Sequence, residues 1–550
     1  MKTIGILAAK WLTLVGIIGL GSSLTLAQVP VIVQQPLDQL TAVGYTTTFT
    51  VGITNPAPFP KVQWQNDQGP IPGATNSFNL TYTTYNDQFT NVVHVATYSI
   101  TNTQFATPGN YQVTLSNTNG NTISSNATLR VIPPYTFITI AGVATAASGT
   151  NDGIGSSARF SSPRHVALDA QGNLFVTDFG NDTVRKVTPA GIVSTFAGTP
   201  DVAGTNDGGP GVALFNWPHG IALDKTGNIF VTDLNTNYNL YGGTIRKITP
   251  EGFVTTIAGM PGIMGTNDGV GSHALFSAPW GIAMDSAGNI FVSDRTTIRK
   301  LTTTDGTNWL VTTIAGLPGV IGSADGTNGA ARFNYPDGMA IDSAGRIFIA
   351  DEFNCLIREI WPTGTNWVVT TIGQFPRSLF IGPSALVADT NDNLYLAGQT
   401  APVVYRMSAN GTNWETTPIA GSNLQFVGQG TNDGTGIAAR FESPHGIAMD
   451  NLGNLFVADA YGNIRKGWSS NVLPATTLNS PIASAGQVQL NFTVTTGSPT
   501  NFSLLQADTV NGPWSTNTVA QLITNIPGLF YQMTVPLTND SAEFYRLKQL

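Results

Sequence analysis

Histidine is scarce in this chain, five among 550 residues, and two of the five fill one position of a recurring block. His219 stands in Pro218-His219-Gly220-Ile221-Ala222-Leu223-Asp224, and His445 in Pro444-His445-Gly446-Ile447-Ala448-Met449-Asp450. His165 follows the same proline one step later, where Gly220, Gly281, Gly338 and Gly446 stand in other copies. Neutral imidazoles are zinc ligands, and three of them leave a coordination position for water, as hydrolytic and lytic centres require. Through six copies the residue after the block-opening proline reads Arg164, His219, Trp280, Asp337, Ser384 and His445. Framework positions stay uniform because every copy solves the same packing problem. A variable polar and aromatic position is what ligand recognition uses. The candidate ligand-binding residues are therefore Arg164, His165, His219, Trp280, Asp337, Ser384 and His445, with His165, His219 and His445 as an alternative metal set. Two features count against a metal. Arg164 brings a positive charge between His219 and His445 in the order of copies, and side-chain alternation turns His165 to the face opposite Arg164. No catalytic residue is assigned, because the chain has no Gly-x-Ser-x-Gly elbow, phosphate loop or His-Glu-x-x-His. The expectation is no cofactor, with zinc or calcium as the alternative.

The elements that must hold these residues follow from the repeat. The block opens at Pro163, Pro218, Pro279, Pro336, Pro383 and Pro444, a mean period of about 56 residues. Each copy continues with a turn such as Gly227-Asn228, then an apolar strand such as Ile229-Phe230-Val231. Most copies close that strand with an aspartate: Asp178, Asp233, Asp294, Asp351 or Asp459, against Gly398 in the fifth. A third strand carries Val184-Arg185-Lys186 or Ile245-Arg246-Lys247, and a fourth Phe196-Ala197-Gly198 or Ile257-Ala258-Gly259. Four short antiparallel strands repeated six times predict a propeller. The fourth-strand motif also precedes the first block, at Ile140-Ala141-Gly142, and is missing after the last. The strand within residues 135–143 is therefore expected to close the ring and remove its open edge.

Recurring acids have a structural explanation. Asp169, Asp224, Asp285, Asp342, Asp389 and Asp450 each precede a turn whose backbone N–H groups a carboxylate can accept. The strand-closing aspartates are read the same way. Thr-Asn-Asp-Gly loops at Thr150–Gly153, Thr205–Gly208, Thr266–Gly269 and Thr431–Gly434 offer oxygens for Ca²⁺ but lack EF-hand spacing. They are read as turns that seat a following Phe between blades. The Asn308-Trp309, Asn366-Trp367 and Asn413-Trp414 pairs read as hairpin turns with a packing aromatic.

The Pro-x-Gly-Ile-Ala-x-Asp blocks, Gly-Asn turns, Asp-closed strands and Ile-Arg-Lys strands together resemble the NHL-repeat family over about residues 135–468. The resemblance implies a six-bladed toroid whose members mostly bind proteins, nucleic acids or glycans. A minority of six-bladed relatives are metal-dependent lyases or lactonases. Residues 29–133 are similar to an immunoglobulin-like sandwich, with Trp64 as core tryptophan, Tyr111 as tyrosine corner, and Val113 where a disulfide cysteine would stand. Residues 471–550 read as a small β-domain. Their ending, Ala542-Glu543-Phe544-Tyr545-Arg546-Leu547, resembles a domain of exported proteins from Verrucomicrobia-type bacteria. The fold expectation is all-β.

Residues 1–27 read as a signal peptide, with Lys2 and Lys10, an apolar run from Trp11 to Leu20, and cleavage near Ala27. A secreted, cell-surface or periplasmic protein follows. With net charge −8 and no basic stripe, nucleic acid is not the expected partner. Charged residues are only 10%, against about 25% in ordinary domains, and Gly and Asn turns take their place. The lone Cys355 forms no intrachain disulfide. The expectation is a monomeric exported binding or adhesion scaffold without a transmembrane segment. Its channel mouth would contact a glycan, peptide or surface protein. The alternative is a metal-dependent hydrolase or lyase, lactonase-like or peptidyl-hydroxyglycine lyase-like.

Overall fold

The computed structural model describes residues 29–469 apart from short loop segments, and beyond them the backbone of the strands between Thr476 and Gln549. The chain is all-β and divides into two compact units, Met1–Pro134 and Tyr135–Leu550. Among the described residues no helix is long and apolar enough to cross a membrane. The proposed cleavage site at Ala27 lies outside the described residues.

In the first unit two sheets share one core. One sheet contains Thr47–Thr54 paired to Phe89–Ile100, and the other contains Gly109–Asn117 paired to Lys61–Asn66. Phe49, Val51, Trp64, Val113 and Leu115 are fully buried between them. Their alternation with polar residues along each strand is the period-two pattern of a half-buried sheet. The Tyr111 hydroxyl donates to the Thr107 carbonyl at 2.8 Å, and its ring stacks on Phe49 at 4.7 Å.

The second unit contains six antiparallel sheets of the four-strand repeat, an arrangement consistent with an NHL-type β-propeller. The innermost strands are Pro163–Leu168, Pro218–Leu223, Pro279–Met284, Pro336–Ile341, Pro383–Ala388 and Pro444–Met449. Each contacts the next, and the last contacts the first. The circuit is closed by Tyr135–Gly142, which pairs along Asn463–Ser469 as the outer strand of the last sheet. Trp309, Trp367 and Trp414 fill the spaces between sheets, each ring edge-on to a Phe of the preceding sheet at 5.8–5.9 Å. Cys355 is buried. Beyond Ser469, Gln487–Val494 pairs with Phe530–Pro536 and Phe502–Ala507 with Phe544–Gln549.

The turn aspartates do what their spacing predicts. Asp224 Oδ1, for example, accepts the N–H groups of Thr226 and Asn228 at 2.8 Å. The strand-closing aspartates differ from the expectation. Each accepts a backbone N–H, but in four sheets its other oxygen meets a buried arginine of the third strand: Asp178–Arg185, Asp233–Arg246 and Asp351–Arg358 at 2.9 Å, and Asp294–Arg299 at 3.2 Å. The same arginines reach the loop acids Asp152, Asp207, Asp268 and Asp325 at 2.7–2.9 Å. In the last sheet Arg465 reaches Asp433 at 3.1 Å. Each guanidinium also lies over the buried Phe of its loop, as Arg246 does over Phe215 at 5.1 Å. The Thr-Asn-Asp-Gly loops are thus pinned by arginine through their acids. Lone buried charges are costly, so truncating one member should be severe. Arg246→Ala is expected to lower stability by about 3–5 kcal/mol in urea unfolding. A change below about 1 kcal/mol would show that the lock is dispensable.

Candidate functional site

The block-opening prolines begin the six innermost strands, so the residues that follow them converge at one end of the ring. The block glycines allow that approach. A Cβ at Gly281 would lie 2.1 Å from the Asp337 carbonyl oxygen, and one at Gly446 would lie 2.3 Å from that of Arg164. The ladder is irregular just after each proline, between Pro163 and Val166 and between Pro336 and Met339 for instance. Such irregularities re-aim side chains at a strand end. Regular alternation counted against His165, yet its ring joins the cluster.

Asp337 is the centre of that cluster and is fully buried. Its Oδ1 lies 3.3 Å from His165 Nε2 and 3.7 Å from His219 Nδ1, and its Oδ2 lies 3.9 Å from His445 Nδ1. Neither carboxylate oxygen has a hydrogen bond, and neither do these three ring nitrogens. One ligand atom each from His165, Asp337 and His445 falls within 4.8 Å of the others. The three imidazole centroids are 5.2–5.6 Å apart. A buried carboxylate without donors is expensive unless a cation or a polar group meets it.

The remaining candidates serve the cluster differently. The Ser384 hydroxyl donates to the His445 carbonyl at 2.9 Å and pins two innermost strands together. The Thr177 hydroxyl, on the second strand of its sheet, donates to the His219 carbonyl of the next innermost strand at 2.6 Å. Trp280 stacks on His219 at 5.6 Å and 19°. Arg164 extends over the Phe179 ring at 4.8 Å.

A second variable position escaped the sequence reading, and of its six residues Gln399 lies outside the described residues. The position after each strand-closing residue also fails to repeat: Phe179, Leu234, Arg295, Glu352, Gln399 and Ala460. The variability argument used for the proline blocks would have found it. Glu352 is buried, and burial with the Asp337 charge pushes its carboxyl well above the usual range while Arg164 opposes.

Burial lowers the His219 ring to about 3, with His165 and Arg164 adding, and with Asp337 and a hydrogen bond to the Trp280 backbone opposing. His445 is held well below its ordinary value by burial first, then by Arg164, His219 and His165. Both rings are neutral at pH 7, the form that ligates metals. Between the unfolded value of 6.5 and about 3, only the unfolded chain carries the His219 proton. Stability present above that window is lost as pH falls through it, by about 1.4 kcal/mol per unit at most. In chelator-treated protein, His219→Asn is expected to lose about 2 kcal/mol less than wild type between about pH 7.5 and 5. Equal losses in urea unfolding would remove His219 as the source.

Residues 215–240, which include the His219 block and the strand after it, match the NHL repeat. The chain is 30% identical over 182 residues to Protein SUPPRESSOR OF QUENCHING 1, chloroplastic, of Arabidopsis thaliana, covering 31% of this chain and 16% of that protein. It is 26% identical over 187 residues to NHL repeat-containing protein 3 of Homo sapiens, covering 32% and 48% respectively. It is 27% identical over 266 residues to Peptidyl-glycine alpha-amidating monooxygenase B of Xenopus laevis, covering 46% and 26%. The matches thus span less than half the length of each of these relatives. A solved structural-genomics protein of unknown function from Bacteroides thetaiotaomicron aligns over 81% of this chain and 99% of its own. It is 18% identical, with a TM-score of 0.32.

Proposed function

We propose that this chain is an exported, six-bladed NHL-type propeller that binds its ligand at the ring axis, on a divalent metal held by His165, Asp337 and His445. An immunoglobulin-like sandwich at residues 29–133 and a small β-domain at 471–550 act as spacer and tether. Export rests on the signal-like residues 1–27.

The observation that carries the reading is Asp337, buried with both oxygens unpaired and three orphaned imidazole nitrogens within 3.9 Å. Nitrogen and carboxylate donors fit zinc, whereas the oxygen-only set calcium prefers is not assembled here. His219 stands beside the trio as a further donor, its orientation fixed by the Trp280 backbone and ring. When bound, zinc supplies a Lewis acid that polarises an oxygen of the ligand or of water. The chain's own part is to keep the rings neutral, exclude water and hold the donors on rigid strands. The charge of Arg164, which counted against a metal, is set against Asp337 and Glu352 in the same buried space.

A second reading, a metal-dependent hydrolase or lyase, is favoured by Glu352, a buried acid held toward its protonated form beside the donors. The chain also matches part of a protein named as an amidating monooxygenase. The first test is elemental mass spectrometry of the full chain after mild chelator washing and zinc reloading. About one tightly held zinc per chain is expected. A well-folded chain that takes up none overturns the metal reading. Turnover of lactone or peptide substrates that requires the metal would promote the enzyme.

A further inference from the structure

We propose that the axial site takes a ligand in which a carboxylate is attached to a six-membered ring, the ring lying on an arc of aromatic side chains and the carboxylate paired with Arg164 or Arg295. The inference deepens the reading of the ring axis as a ligand site and does not need the metal.

Its first support is an anomaly among the arginines. Every other arginine described between residues 135 and 469 donates a hydrogen bond to a carboxylate, a carbonyl or an asparagine. The guanidinium groups of Arg164 and Arg295 make no hydrogen bond or close ion pair among the described residues, Arg164 meeting Asp337 and Glu352 only through the field of their charges, and the Nε of each is buried. Instead each lies on an aromatic face, Arg164 over Phe179 at 4.8 Å and Arg295 over Tyr335 at 5.6 Å. Stacking leaves the in-plane N–H fork of a guanidinium free, and that fork matches a carboxylate.

The second support is the arc between them. Phe179 and Trp217 are 5.2 Å apart, and Phe179 meets His219 at 6.0 Å. His219 stacks on Trp280, which meets Tyr335 at 5.3 Å, and Tyr335 meets Phe353 at 5.2 Å. The rings therefore run continuously from Arg164 to Arg295, past the Asp337 cluster. Trp217 and Phe353 are 41% and 44% exposed, so the arc presents apolar faces to solvent. Trp217, Arg295 and Tyr335 hold φ of +62°, +50° and +50°. That region suits glycine and costs a bulky residue about 1 kcal/mol, so the site keeps large side chains where small ones would fold more cheaply. Apolar faces with cationic ends suit a flat or chair-shaped ring that carries an anion, from either a uronate sugar or an aromatic acid.

The test is isothermal titration of the full chain, chelated and zinc-loaded, with trigalacturonate, benzoate and the neutral sugar cellotriose. Binding of trigalacturonate or benzoate but not cellotriose is expected, and whichever of the two binds names the source. Arg164→Ala and Arg295→Ala should each weaken it about tenfold or more, and Phe353→Leu should weaken it with charge unchanged. Zinc content should stay as in wild type in Arg295→Ala. Failure of both anionic ligands to bind, or binding unaffected in both arginine variants, overturns the proposal. Binding in a chain that never holds zinc leaves it standing while the metal reading falls.

Discussion

Removing Tyr135–Gly142 is expected to unfold all six sheets together rather than only the last. This segment lies along the full length of Asn463–Ser469 and pairs at its start with Gly434 and Thr435. Thr139 donates both its N–H and its hydroxyl to Asp433, the acid that holds Arg465. Phe137 is fully buried, edge-on to Phe441 at 5.0 Å, and fills the space that a Cβ on Gly467 would need. Without the segment the last sheet keeps an unpaired edge, and the buried Phe441 and Arg465 lose their cover. A linear array can fray from such an edge, whereas a closed circuit of innermost strands cannot open at one sheet without losing contacts at its neighbours. In the full chain, Phe137→Ala should cost about 3–5 kcal/mol, as large-to-small core changes do. Deletion of the segment should abolish the cooperative unfolding transition, followed by circular dichroism and tryptophan fluorescence in urea. A deleted chain that melts cooperatively at the wild-type midpoint would show that the segment does not close the ring.

The second large effect is expected at the buried carboxylate. Asp337→Asn keeps the shape of the side chain but removes the charge that faces three imidazoles. Zinc affinity should fall on the order of 100-fold or more, since even changes to groups outside the coordination sphere cost about 10- to 100-fold. The double variant His165→Ala, His445→Ala should hold no zinc after chelator washing. The stability effects should have opposite signs in the two states. Without metal, Asp337→Asn relieves a buried carboxylate that has no hydrogen-bond donor, so the apo variant should unfold at the same or higher urea than apo wild type. With zinc, wild type should gain by mass action what the variant cannot. Equal zinc affinity in wild type and Asp337→Asn would exclude the carboxylate as a ligand. An apo variant less stable than apo wild type would show that Asp337 is a structural group with partners of its own.

Much of this was legible in the residues, because repetition exposes its own exceptions. The four-strand period, the closing strand at Ile140-Ala141-Gly142 and the turn role of Asp224 and its equivalents follow from local patterns that the backbone must satisfy locally. The same comparison singled out Arg164, His219, Trp280, Asp337 and His445, since a framework position has no reason to vary. It failed for Asp178, Asp233, Asp294 and Asp351. These acids also sit beside turns, and nothing local separates an aspartate that binds turn backbone from one that reaches a buried arginine on the next strand. It also treated the Asp207 class as turn formers, because the arginine that uses them lies about forty residues further along the chain, as Arg246 does from Asp207. Glu352 and Arg295 stand one residue past the strand-closing aspartate, where nothing in the local pattern marks a buried or axial position.

The sequence by itself determined which strands exist, how often they recur and which positions depart from the repeat, since turn chemistry and side-chain alternation act over a few residues. Only the tertiary structure decided that His165, His219, Asp337 and His445 share one buried space, although as many as 280 positions separate them. The reason is closure. The first and last innermost strands meet across the closure of the circuit, where Tyr135–Gly142 completes the last sheet. The slight irregularity after each proline then decides which way a ring turns. A linear pattern carries no information about either.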